Sequence, residues 1–367
     1  MRVTQYERWC SDQSVRKGKL VTDTENTEPN SYDLSITTLG NTNVPMSALQ
    51  GLSNLLADLI PLAQIPNIEH LAGIFVIEDG HMTETIRELE QQDVAYDSSR
   101  KAMPSSASAV ALAIVTAEGL RCFVILEESV IRTLTPQDYQ QWDAVSTVLE
   151  ELLHVRHNSG LADELLAGRV RSGDILDSMC FKCLTEYMAI RWKAEILTPQ
   201  FTDPESSLIY GEALGPKLDN AGERIITLVT GIADQSIPFA SGHQEFMRIV
   251  QYGVFEPLTR ERAFRDGDKT GRETPVLQPD ASQSWFYTQH VASYWDSMYD
   301  NLRQAFDSFD TNPQETVALL ADMKETLVQF LLHVGVEYTP RDNGQSHLMF
   351  YDLPAHAVEA TKPKKQA

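Results

Sequence analysis

Apolar residues recur at spacings of three and four along Leu49, Leu52, Leu55, Leu56 and Leu59, the period of a helix with one buried face. Pro61 and Pro66 are expected to stop that helix. Leu71 to Ile77 reads LAGIFVI before Glu78-Asp79-Gly80, a pattern that predicts a buried strand and a turn. A short helix is expected from Thr83 to Gln92. Ser108 to Thr116 and Leu120 to Leu126 are two further apolar runs around Ala117-Glu118-Gly119. They predict a hairpin, with glycine where a positive φ is wanted.

A long helix is expected next, with Thr135 as N-cap, Pro136 at the first position and an end at Asn158-Ser159-Gly160. Another covers roughly Asp177 to Leu197 and stops at Pro199. Beyond Pro204 the periodicity is helical throughout: Trp285, Val291, Trp295, Met298, Leu302 and Phe306 form one stripe, and Val317 to Leu332 repeats it. A loop from about Asp266 to Ser284 interrupts these helices. The Ser-, Thr-, Asn- and Asp-rich stretch from 11 to 45 shows little periodicity and is expected to be an irregular arm. The expected fold class is α+β. Residues 1–45 form an arm, 46–200 a domain with a small antiparallel sheet, 205–340 an all-α domain, and 341–367 a C-terminal tail.

Charge narrows the choice of partners. The 367 residues include 30 basic and 52 acidic side chains, a formal net charge of -22. Such a field repels phosphate backbones and anionic lipid, so nucleic-acid binding through a basic face is not expected. Lys362, Lys364 and Lys365 are the one basic cluster of note and read as a solvated tail. Four cysteines in a chain this long make no disulfide framework and suggest a reducing compartment. Met1 to Cys10 lacks an apolar core of the signal-peptide kind, and Ala107 to Ala117 is too short to span a bilayer. The expectation is a soluble, cytoplasmic protein without a membrane partner.

Candidate chemistry sits in the helix WDAVSTVLEELLHVRH, Trp142 to His157. Val145, Val148, Leu149 and Leu152 mark its apolar face. Glu150, His154 and His157 lie at i, i+4 and i+7 on another face, with Glu151 one step round. Residues at i and i+4 can converge on one metal ion, and a carboxylate at i+1 then stands beside it as a general base.

The block VLEELLHV resembles the V-x-x-H-E-L-x-H-V run of zincin metallopeptidases, with Glu150 in place of the first histidine. Downstream, EYMAIRWKAEILTP from Glu186 to Pro199 is similar to the E-x-x-A-x-x-F-A-A-x-L-L-x-P stretch of the ImmA/IrrE metallopeptidase family. The resemblance covers roughly residues 46 to 200. It implies a zincin-like domain in which Glu150, His154 and Glu186 hold a divalent metal, zinc foremost. Glu151 would then activate metal-bound water against a peptide bond, and the activity implied is that of a regulatory protease on a protein or peptide substrate.

Glu150 changes the electrostatics. Two carboxylates and one imidazole neutralise a divalent ion, which weakens it as a Lewis acid and admits harder ions such as manganese or iron. A second reading therefore keeps the fold without the chemistry: a pseudopeptidase whose cleft binds a peptide or protein partner. A third draws on Glu151-x-x-His154 as half of a carboxylate-bridged di-iron site, which needs a second E-x-x-H on another helix, and none of the other expected helices carries one. His157 and Cys183 are further candidates beside the metal, although a histidine near a helix C-terminus is more often a dipole partner. The lone C-x-x-C of Cys180 and Cys183 is more often a pair of small buried residues. His243 and His290 read as surface or core histidines.

Overall fold

The computed structural model describes residues 17–19, 34–40, 42–93, 107–168, 174–197, 214–268, 281–340 and 346–351. The expected stop at Pro199, most of the 266–284 loop and the lysines of the tail lie outside these residues. Contacts divide the chain into two compact units, Met1–Ala167 and Gly168–Ala367. Both helix and strand are present, so the α+β class holds in its coarse form.

The first unit is built on a five-stranded sheet. Its strands are β1 (Lys17–Lys19), β2 (Ser35–Leu39), β3 (Leu71–Ile77), β4 (Ala109–Thr116) and β5 (Gly119–Glu127), in the order β1-β2-β3-β5-β4. The sheet is mixed, which corrects the expected antiparallel one. β2 runs parallel to β3 and β3 parallel to β5, with Ile36 opposite Ile74 and Ile74 opposite Val124. Only the outer pairs, β1 with β2 and β4 with β5, are antiparallel. The cause is burial on both faces: β3 is a near-continuous apolar run, as inner parallel strands are, whereas a hairpin alone would leave one face wet.

The hairpin itself forms as expected, with Thr116 opposite Gly119 and Gly119 at φ +128. Along β3 and β5 the side chains alternate. Phe75, Ile77, Phe123 and Ile125 join Met82 and Leu89 of α2 (Met82–Glu90) in one core cluster. The opposite face, with Ile74, Val76, Val124 and Leu126 all within 0% of exposure, belongs to the side covered by helices.

Two strands, β1 and β2, fall inside the stretch expected to be an irregular arm. β2 reads SITTL, and its two buried residues, Ile36 and Leu39, do not alternate, so no strand period was visible. In α1 (Met46–Ala63) the leucine stripe is buried as its spacing requires, but the helix runs through Pro61. Proline removes one backbone bond there, to Ala57, and both residues are exposed, so water can satisfy the freed carbonyl. The helix stops instead at Gln64, in left-handed conformation at φ 51.

The motif helix α4 (Trp142–Gly160) starts six residues later than Pro136 suggested. Thr135 does cap, but it caps a turn: its hydroxyl and its carbonyl both accept from the Asp138 N–H. Pro136 is held by Asn54, which donates to its carbonyl. Gln141 is tied back to the Thr133 carbonyl at 3.0 Å. A short helix, α3 (Glu128–Ile131), precedes this turn, and α5 (Ala162–Leu166) follows α4. The expected end at Asn158-Ser159-Gly160 is the last turn of α4, because Asn158 and Ser159 are buried and bonded there: Asn158 donates to the His154 carbonyl at 2.9 Å.

The second unit is mainly helical: α6 (Ile175–Leu197), α7 (Leu214–Ala233), α8 (Phe239–Ile249), a π-helical segment Val250–Phe255, α9 (Glu256–Gly267), a second π segment Tyr287–Val291, α10 (Ala292–Ser308) and α11 (Pro313–His333). α6 is apolar nearly all round, and a helix of that kind is a buried one. It packs against α9, α10 and α11. Trp192 meets Phe306 and Phe309 at ring-centre distances of 5.5 and 5.4 Å. The unit is not all-α. β6 (Val336–Pro340) and β7 (Ser346–Phe350) pair antiparallel, with Tyr338 opposite Leu348, so part of the expected tail is a strand. Gly335 at φ +85 terminates α11 and turns the chain into β6.

Candidate metal centre

α4 carries Glu150 and His154 one helical turn apart, as i and i+4. Glu151, the next residue round, is buried at 9% exposure, and Glu150 and His154 are half-buried. Val148, Leu149, Leu152 and Val155 on the same helix have no exposure. That burial fixes the rotation of α4 and therefore the direction of its polar side chains. α6 carries Glu186, whose side chain is 3% exposed.

Glu150 and His154 of the first unit and Glu186 of the second are side chains of the kinds that ligate divalent ions. Two carboxylates and an imidazole are a donor set suited to zinc, manganese or iron. Three such donors fit a divalent ion in number and kind of ligand.

Glu186 is also the centre of an ion-pair cluster within the second unit. Lys182, one turn back on α6, donates from Nζ to Oε1 at 2.6 Å, and Arg260 of α9 donates from Nη1 to Oε2. Lys182 could have been read from the sequence as an i, i+4 partner. Arg260 could not, since only the packing of α9 on α6 brings it there. Glu256 and Tyr252 are neighbours in the same electrostatic field, next to the π-helical segment that leads into α9. Irregularities of this kind recur at functional sites.

His157 has no exposed surface, and burial, helped by the nearby His154, drives its pKa down to about 3. It is a neutral core imidazole at the pH of most chemistry. Cys180 and Cys183 are buried thiols. Burial raises both, Cys183 to about 12, which leaves little thiolate for redox or metal chemistry. His243 stacks on Phe239 at 4.8 Å. His290 is buried, with Nδ1 3.1 Å from His333 Nε2.

No protein-family model matches the sequence, no curated protein matches it, and no solved structure matches the fold. Among the described residues, no helix is long and apolar enough to cross a membrane.

Proposed function

We propose that this chain is a divalent-metal-dependent peptidase of zincin type, with Glu150, His154 and Glu186 as metal ligands and Glu151 as general base. The observation that carries the reading is that Glu150 and His154 stand one turn apart on α4, and that α4 and the Glu186 helix α6 have sequences resembling the two ligand-bearing stretches of the ImmA/IrrE family. When bound, the ion supplies Lewis acidity toward a peptide carbonyl. Glu151 takes the proton of the attacking water and passes it to the leaving amine. Its partial burial keeps competing water away from the carboxylate. Such a protein acts on a few protein or peptide substrates in a regulatory role.

The second reading, a pseudopeptidase that binds a peptide or protein without cleaving it, is favoured by one feature: both oxygens of Glu186 already accept from cations. One experiment separates the two. The full chain is purified without added metal and analysed for bound elements beside Glu186→Ala. It is then loaded with zinc, manganese or iron and assayed on an unfolded casein, with Glu151→Gln as control. Cleavage lost in Glu151→Gln supports the peptidase. Cleavage that survives that substitution removes Glu151 from the chemistry, and metal binding without cleavage leaves the binding module.

A further inference from the structure

We propose that Lys182 and Arg260 compete with a divalent ion for Glu186 and so act as a brake on metal loading. The inference rests on the metal-ligand reading of Glu150, His154 and Glu186 given above. A carboxylate with 3% of its surface exposed is stable as an anion only with a countercharge close by. Here two cations supply it, one on each oxygen. Lys182 Nζ is 2.6 Å from Oε1, and Arg260 holds Oε2.

An ion that takes Glu186 as a ligand must displace a cation from an oxygen or settle beside both. Either route costs free energy, through a lost charge-assisted hydrogen bond or through repulsion between like charges. The same cluster has an opposite effect to the Glu150 substitution. Glu150 adds a negative charge to the donor set, while Lys182 and Arg260 withdraw it from Glu186.

The two cations are not equally placed to yield. Arg260 sits on α9, and α9 lies so close to α6 that a Cβ on Gly267 would stand 2.4 Å from the Arg191 carbonyl oxygen. The helix that carries it is therefore packed tightly on α6 at that end. Lys182 has a flexible four-carbon stem and is 40% exposed. It is the partner that swings away when an ion arrives. Occupied Glu186 therefore releases the Lys182 amine from Oε1, with Arg260 still at Oε2.

The alternative physical role is the reverse one: the cations orient Glu186 and thereby help it ligate. The two roles predict opposite signs. Zinc affinity is measured on the full-length chain by competition with a chromogenic chelator, for the parent, Lys182→Met, Arg260→Met and Glu150→His. In parallel, the parent is treated with acetic anhydride with and without zinc, and labelling of Lys182 is read by mass spectrometry. The expected result is zinc binding on the order of tenfold tighter in Lys182→Met and Arg260→Met, and Lys182 labelling that rises severalfold with zinc. Equal or weaker affinity in Lys182→Met, or labelling unchanged while zinc is bound, overturns the brake. Zinc binding by the parent and Glu150→His with no gain in the cation variants sinks the brake alone. If none of the four proteins binds zinc, the metal reading has failed and the brake goes with it.

Discussion

Ser159 Oγ lies 2.9 Å from His70 Nδ1, and the pair ties the chain before β3 to the last turn of the motif helix. The surrounding bonds fix its direction. Asn67 Oδ1 accepts from the Glu69 N–H, so Asn67 Nδ2 faces His70 Nε2 at 3.3 Å. The imidazole lone pair is then on Nε2 and its proton on Nδ1, donated to Ser159. The Asn67 N–H donates to the same oxygen at 3.1 Å. Ser159→Ala leaves two donors without their acceptor in a half-buried setting. The expected loss is about 1–3 kcal/mol, measured by urea unfolding of the full chain. A change within error would mean that water replaces the hydroxyl at no cost.

His157 makes stability depend on pH. Its folded pKa, about 3, is far below its ordinary 6.5 because burial disfavours the imidazolium. In the unfolded chain the ring takes a proton as pH falls below about 6.5, while the folded ring stays neutral. The stability it contributes is therefore complete above that pH and is lost as pH falls from about 6.5 toward 3. The slope per proton is about 1.4 kcal/mol for each pH unit. Carboxylates contribute slopes of their own, so the informative quantity is the difference between parent and His157→Gln in unfolding experiments from pH 7 to pH 4. The variant is expected to lose close to one proton of dependence. Parallel curves would show that His157 is reached by water in the native state.

Gly267 marks a close approach of α9 to α6. An added Cβ would stand 2.4 Å from the Arg191 carbonyl oxygen and 2.6 Å from Ala194 Cβ, and neither is the tip of a flexible side chain. Gly267→Ala is expected to destabilise the second unit by about 1–3 kcal/mol, the usual cost of overpacking, although alanine is the better helix former by about 1 kcal/mol. Thermal unfolding checks the sign. A stabilised variant would show that the two helices can separate freely.

What the sequence made legible follows from how local each feature is. β3 was readable with its own bounds because LAGIFVI is apolar nearly throughout, and the hairpin because Gly119 marks its turn. α6 was readable because Ile175 to Leu197 holds no proline or glycine. Features decided by distant partners were not. Thr135-Pro136 has the form of a helix start, yet the Thr133–Gln141 and Asn54–Pro136 bonds make it a turn. β6 and β7 are five residues each, and each depends on the other for pairing. In the candidate site, Glu150, Glu151 and His154 could be named from helical spacing and Glu186 from its likeness to a family motif. The cations on Glu186 belong to packing, and Arg260 is 74 positions away along the chain.

Glu150 is where the donor set departs from the motif it resembles, and its reversal tests the metal reading most directly. Glu150→His replaces a carboxylate by an imidazole at the same helical position, so the i, i+4 relation to His154 is kept. Imidazole suits zinc better than an oxygen donor does, and the donor set loses one negative charge, leaving the ion a stronger Lewis acid. The half-buried position of Glu150 gives the ring space without opening the core. The variant is expected to bind zinc more tightly than the parent in a chelator competition, and to gain or strengthen hydrolysis of an unfolded casein across pH 6 to 9. Glu150→His/Glu151→Gln should keep the affinity and lose the hydrolysis, because the role proposed for Glu151 is to move protons and not to ligate. No gain in affinity would place Glu150 outside any metal site. A gain in affinity with no hydrolysis would put the missing function beyond one ligand, and the peptide-binding reading would then stand in place of the peptidase.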